Sequence, residues 1–158
     1  MKKIISTILT FLIFHIGISQ EIVESDLIGE WTFIELQDEK GEKQTNIPLT
    51  RFGQEMGIEK VNRDNYIFND NGTYKSFNRL NVSYGTWSLN KKTNEINLEL
   101  RIEPTSPYLP SLKKAKIVTK RNDGFYYQKA IKKRILIFGT DSMTIADRKK
   151  YVLIYKRK

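Results

Sequence analysis

From Glu30 onward, large apolar side chains recur at every second position, and turn-forming residues interrupt them at short intervals. A period of two gives a strand with one buried face, which limits the chain to sheet joined largely by hairpins. The clearest case is Ile96, Leu98, Leu100 and Ile102, which alternate with Asn97, Glu99 and Arg101. Tyr66-Ile67-Phe68 and Thr73-Tyr74-Lys75-Ser76-Phe77 flank Asn69-Asp70-Asn71-Gly72, where Asn71-Gly72 supplies the permissive backbone of a tight turn. Gly85-Thr86-Trp87-Ser88-Leu89 alternates in the same way before the Asn90-Lys91-Lys92-Thr93-Asn94 turn. At the first strand, after Leu27-Ile28-Gly29-Glu30, Trp31 and Phe33 share a face opposite Ile34.

The remaining segments are less regular. Asp38 to Gly57 reads as a long connection with a short helix near Thr50 to Met56. Pro104, Pro107 and Pro110 make residues 103 to 112 a loop. Ala115 to Val118 reads as a short strand, which Asn122-Asp123-Gly124 turns toward Phe125-Tyr126-Tyr127. Arg134 to Phe138, Ser142 to Ala146 and Tyr151 to Lys156 complete the series. The basic runs Lys113-Lys114-Ala115-Lys116, Lys132-Lys133-Arg134 and Arg148-Lys149-Lys150 fall at strand ends and turns. About eight or nine sequential strands that close on themselves lose their exposed edges. The expected fold is therefore all-β, an antiparallel up-and-down eight-stranded barrel, with a β-sandwich as the alternative.

Before these strands, Lys2 and Lys3 precede a nearly unbroken apolar run from Ile4 to Ile18, and Gly17 and Ser19 place small residues at its exit. This is the pattern of a secretory signal over residues 1 to 19, too short for a comfortable membrane span. The expected product is one domain, residues 20 to 158, in the periplasm or outside the cell. Without Lys2 and Lys3 the chain keeps 25 of its 27 basic side chains against 18 acidic ones. A basic surface attracts anionic partners without choosing among them. The sequence contains no cysteine, and its single histidine, His15, lies inside the apolar run. The exported domain would then have no thiolate or imidazole with which to build nucleophiles, acid-base pairs or the usual zinc sites.

Leu27-x-Gly29-x-Trp31, Tyr66-x-Phe68-x-x-x-Gly72-x-Tyr74 and Gly85-x-Trp87-x-Leu89 together resemble the lipocalin-like domains of exported bacterial proteins. The resemblance spans residues 27 to 157. It implies that Trp31, entered through Gly29, closes one end of an eight-stranded barrel whose other end admits an apolar ligand. The chain departs from animal secreted lipocalins in having no cysteine pair. No arginine of its penultimate strand takes the family's tryptophan-packing role, since Arg148 falls in a turn.

The expected function is noncatalytic binding of a small apolar or amphipathic ligand in the barrel. Tyr66, Phe68, Tyr74, Phe77, Trp87, Arg101 and Tyr127 are the candidate ligand-binding residues, and Gly29, Trp31, Gly72 and Gly85 the structural ones. Lys75, Arg79, Arg101 and Lys129 are candidate cations for an amphipathic anion. The alternative function is an envelope module that engages an acidic protein or anionic envelope component through a basic outer face. A hydrolase using carboxylates such as Glu99 with Glu103, or Asp123 with Asp141, ranks third, because the exported domain would lack both histidine and cysteine and nothing in the sequence fixes the separation of these carboxylates. No catalytic residue, metal site, cofactor or nucleic-acid partner is expected, and the protein is expected to be a monomer.

Overall fold

The computed structural model describes residues 21–51 and 54–158; the expected signal segment lies outside the described residues. A short helix α1 (Glu24–Leu27) leads into β1 (Gly29–Asp38). Next come β2 (Lys43–Gln44), β3 (Asn46–Arg51), β4 (Gln54–Lys60), β5 (Asn65–Phe68), β6 (Thr73–Phe77), β7 (Val82–Asn90) and β8 (Glu95–Ile102). Helix α2 (Leu109–Lys114), β9 (Val118–Lys120), β10 (Tyr126–Gln128), β11 (Ile131–Phe138), β12 (Ser142–Asp147) and β13 (Tyr151–Arg157) complete the chain.

Strands β1, β5, β6, β7, β8, β11, β12 and β13 each pair antiparallel with the next, and the β8–β11 pairing closes the ring. This is the eight-stranded up-and-down barrel rather than the sandwich. The β5–β6, β7–β8 and β11–β12 turns gather at one end, and the short β6–β7 and β12–β13 turns lie at the other, with the long connections. In the β5–β6 turn, Gly72 sits at φ 75° and donates to the Asn69 carbonyl at 3.2 Å, while Asn69 donates to Thr73 at 2.9 Å. That is a type I turn followed by a left-handed residue, a position glycine occupies without a Cβ clash.

Inward positions follow the expected alternation: Tyr66 and Phe68, Tyr74 and Ser76, Trp87 and Leu89, Ile96 and Leu98, Met143 and Ile145, and Leu153 and Tyr155 are buried. Ile22 and Leu27 join this core from the N-terminal side. Each fully buried large side chain contributes about 1.5–3 kcal/mol of transfer free energy. Phe33 and Trp31 do share the inner side of β1, and a bulge between Phe33 and Glu35 leaves Ile34 44% exposed.

Three local expectations are corrected. Thr50 and Arg51 end β3 and residues 54 to 56 begin β4, in place of the expected helix; β-branched Ile47 and Ile58 and the Thr45–Val61 bond carry pairing through these strands. Residues 109 to 114 form α2, because Pro110 occupies the first turn, where a missing amide costs nothing. The 113 to 116 basic run therefore ends a helix, and the strand after it starts only at Val118. Finally, β11 begins at Ile131, so Lys132, Lys133 and Arg134 lie within a strand rather than at its end.

Candidate functional site

One end of the barrel is sealed. Trp31 is completely buried, and its indole Nε1 donates to the Leu27 carbonyl at 2.8 Å, tying α1 across the opening. Arg157 stands directly opposite Trp31 in the β1–β13 register. Its guanidinium carbon lies 4.7 Å from the indole ring centre, and the same group donates to the carbonyls of Ile28, at 3.3 Å, and Asp26. A cation over the indole face and two charge-assisted hydrogen bonds thus fasten the entry of the chain to its last strand. Glu24 adds a contact from α1 to the Leu89 amide at 3.4 Å. Beneath this plug Phe68 and Trp87 pack with ring centres 5.0 Å apart, and the Trp87 indole donates to the Asn69 carbonyl.

The other end holds a pocket of about 320 Å³. Its inner wall is Tyr66, Tyr74, Ser76, Leu98 and Leu100, and Arg63, Asp64, Ser83, Ile131 and Lys133 form its rim. The barrel below is filled by Tyr155, Phe68 and the Trp87 side chain, so the pocket is a vestibule rather than a deep calyx. Ile131, Lys133 and Ile135 alternate on one face of β11, which turns the Lys133 ammonium toward the mouth. Among the described residues Lys133 makes no ion pair.

Burial pushes the Tyr74 hydroxyl up to about 12, with the Asp64 charge adding to it. Burial raises Tyr66 and Tyr155 as well. All three hydroxyls therefore stay neutral, as potential donors, at physiological pH. The Tyr155 hydroxyl already donates to the Asp64 carbonyl at 3.2 Å, holding the rim down. Gly85 makes room for Tyr74: a Cβ there would overlap the Glu99 carbonyl and come within 2.6 Å of a Tyr74 ring carbon.

The rim is braced by charge. Arg63 bonds Glu59 at 2.9 Å and Asp147 at 3.1 Å, and Arg148 bonds Glu59 at 2.6 Å and the Pro48 carbonyl at 3.1 Å. These contacts tie the β3–β4 hairpin to the β12–β13 turn. Hydrogen bonding from Arg148, opposed by partial burial and reinforced by Arg63, holds the Glu59 carboxyl below its usual range.

The seven sequence candidates do not share one surface. Tyr66 and Tyr74 line the mouth, while Phe68 and Trp87 lie toward the sealed end. Phe77 points outward, beside Phe33 and Leu80, in a cleft where β1 and β5 diverge, and Arg79 borders the same cleft. Arg101 and Tyr127 sit together on the outer wall, with Lys75. Lys129 lies just after β10, where its amide donates to Ile117. Glu99 bonds Arg121, Glu103 bonds Arg101, and Asp123 accepts from Tyr127, which places each of these carboxylates in a polar contact of its own. Among the described residues no group of three or more His, Cys, Asp or Glu side chains is arranged to hold a metal ion.

Sequence reasoning missed two residues, and both carried a readable signal. Arg157 shares the parity of Leu153 and Tyr155, and Lys133 that of Ile131 and Ile135.

The fold is a closed, eight-stranded antiparallel up-and-down barrel. Its strand register, its first-strand Gly29-x-Trp31 and the arginine stacked on that tryptophan all belong to this chain's own structure. No family model and no curated protein matches the sequence. Among solved structures, the chain is similar to a lipocalin-like protein from Bacteroides uniformis at 16% identity and TM-score 0.45, covering 84% of this chain and 99% of that one. It is similar to an uncharacterized protein from Bacteroides eggerthii at 14% identity, with the same TM-score and coverages. A DUF4847 family protein from Bacteroides vulgatus aligns at 13% identity and TM-score 0.45, over 84% of this chain and 94% of its own.

Proposed function

We propose that this protein is a noncatalytic binding module that takes a short amphipathic anion into the open mouth of its barrel, outside the cytoplasm. The observation that carries the reading is the position of Lys133, a cation with no ion pair among the described residues, on the inner face of β11 above a half-apolar vestibule. An anionic head group meets Lys133 and the neutral hydroxyls of Tyr66, Tyr74 and Ser76, and a short apolar tail rests on Leu98, Leu100 and Ile131. A volume near 320 Å³ lies at the small end of ligand pockets, and the packed interior beneath it excludes a long chain. The apolar run before residue 20 supports export.

The basic runs give less support to a role as a surface-binding module. Lys113 lies over the Tyr126 ring, Lys132 pairs with Glu95, and Lys133 turns into the mouth. These three side chains face three different surroundings.

The test is native mass spectrometry of the protein gently purified from its own envelope fraction, against a denatured sample. A reproducible noncovalent mass of a small organic anion is expected, and it should be absent from a Lys133→Met variant prepared alongside. A spectrum free of adducts, where a known lipid carrier keeps its ligand under the same handling, contradicts the proposal.

A further inference from the structure

The β8 strand serves two sheets. Its first half closes the barrel against β11, and its last residues, Arg101 and Ile102, pair with β10 instead. The β9–β10 hairpin therefore extends the outer wall as a flap. Register then assembles one row across five strands. Ile67 pairs with Lys75, Lys75 with Tyr84, and Arg101 with Tyr127, while the Arg101 guanidinium bridges the row at 5.9 Å from the Tyr84 ring. Direct cross-strand partners point to the same side of a sheet, so all five side chains face outward.

A groove of about 360 Å³ lies over this row on the outer wall, and Tyr74 borders both it and the mouth. Its lining contains two charged side chains, Lys75 and Arg101, and both are cations. Tyr84, Tyr127 and Ile67 supply its apolar walls. Tyr127 is 7% exposed, an unusual degree of burial for a side chain on the outside of a barrel. It is held there: its hydroxyl donates to Asp123 at 2.7 Å, and the Arg121 guanidinium covers its ring at 4.0 Å. Arg121 is in turn bonded to Glu99 at 2.5 Å and to Thr86 at 3.3 Å, which fastens the flap to the barrel wall. Arg101 lies 4.4 Å from the Phe125 ring, and among the described residues its one ion pair is with the exposed Glu103, at 3.3 Å. Among the described residues Lys75 has no acidic partner.

We infer that this outer groove is a second binding site, one that takes a small planar organic anion, an aromatic ring bearing a carboxylate. The ring lies against Tyr84 and Tyr127, and the carboxylate meets the Arg101 fork with Lys75 beside it. A guanidinium held by aromatic stacking presents its planar donors with little left to order, which suits it to bidentate carboxylate recognition. Glu99 and Asp123 are already occupied by Arg121 and Tyr127, and Glu103, which bonds one Arg101 nitrogen at 3.3 Å, lies outside the groove lining, so a ligand carboxylate competes with this one exposed acid for the Arg101 fork.

The test is a titration of the ¹⁵N-labelled protein with 2-naphthoate, and in parallel with uncharged 2-naphthamide, read by amide chemical shifts. Saturable shifts are expected at Ile67, Lys75, Tyr84, Thr86 and Tyr127 with naphthoate, and about tenfold weaker binding of the amide. K75M/R101Q should weaken naphthoate by about tenfold or more. K75M alone, at a partly exposed position, should weaken it measurably and serves as the readout if the double variant unfolds. Shifts confined to mouth residues such as Tyr66, Ser76 and Leu98, equal affinity for the amide, or unchanged affinity in K75M would each overturn the assignment.

Discussion

Replacing Arg157 with alanine removes three things at once: the cation over the Trp31 indole and the two hydrogen bonds to the Asp26 and Ile28 carbonyls. A hydrogen bond from a charged donor contributes about 1.5–3 kcal/mol. Taking the low end for both bonds gives about 3 kcal/mol, and the stacked cation adds about 1 kcal/mol. One gain opposes these losses. The Arg157 Nε is buried without a partner, and its deletion relieves about 1 kcal/mol of desolvation. The net loss expected is about 3 kcal/mol, or about 10 °C in Tm for a domain of this size. Arg157→Lys keeps the charge but cannot reach both carbonyls with one ammonium, so it should lose about half as much. Urea unfolding followed by tryptophan fluorescence measures both variants, with unchanged m-values confirming a folded-state effect. A loss below about 1 kcal/mol for Arg157→Ala, or equal losses for alanine and lysine, would show that Arg157 does not fasten the sealed end.

Other substitutions probe the remaining geometry. Gly85→Ala places a methyl group against the Glu99 backbone and the Tyr74 ring, and should cost about 3 kcal/mol or more in a thermal melt while shifting Tyr74 resonances. The bonds to Glu59 lower its carboxyl pKa in the folded protein relative to the ordinary 4.5. The stability it contributes is therefore complete above pH 4.5 and disappears as pH falls through the lower folded value. Glu59→Gln should be less stable than the parent at neutral pH, and the two stability curves should converge below that window. Convergence at higher pH, or none at all, would refute the role given to Glu59. Its partial exposure keeps the difference modest.

Much of the barrel could be read from local parity. Ile96 and Leu98 pointed inward as the alternation required, Gly29 and Gly72 have positive φ, and Trp31 is fully buried. Parity also separates the ligand candidates, since Phe77 and Arg101 differ in phase from Tyr74 and Leu100, but which inward residues lie near the mouth depends on which end is plugged. That is decided by α1 and the Arg157 contact, both set by pairing between the two ends of the described chain. Lys133 and Arg157 were obscured because a charge within a strand is ordinarily read as a solvent-facing group. The Pro110 helix and the β3–β4 hairpin lie in irregular connections. There a proline's position within its turn and the partner of a strand matter more than composition.

The vestibule above Tyr66 and Tyr74 is proposed to hold a short amphipathic anion through Lys133. Titrating the ¹⁵N-labelled protein with octanoate, and repeating the titration with Lys133→Met, tests it most directly. Saturable amide shifts are expected at Tyr66, Ser76, Leu98 and Lys133 in the parent, with about tenfold weaker binding in the variant. Absent or non-saturating shifts at those residues, or the same affinity in both proteins, would contradict it.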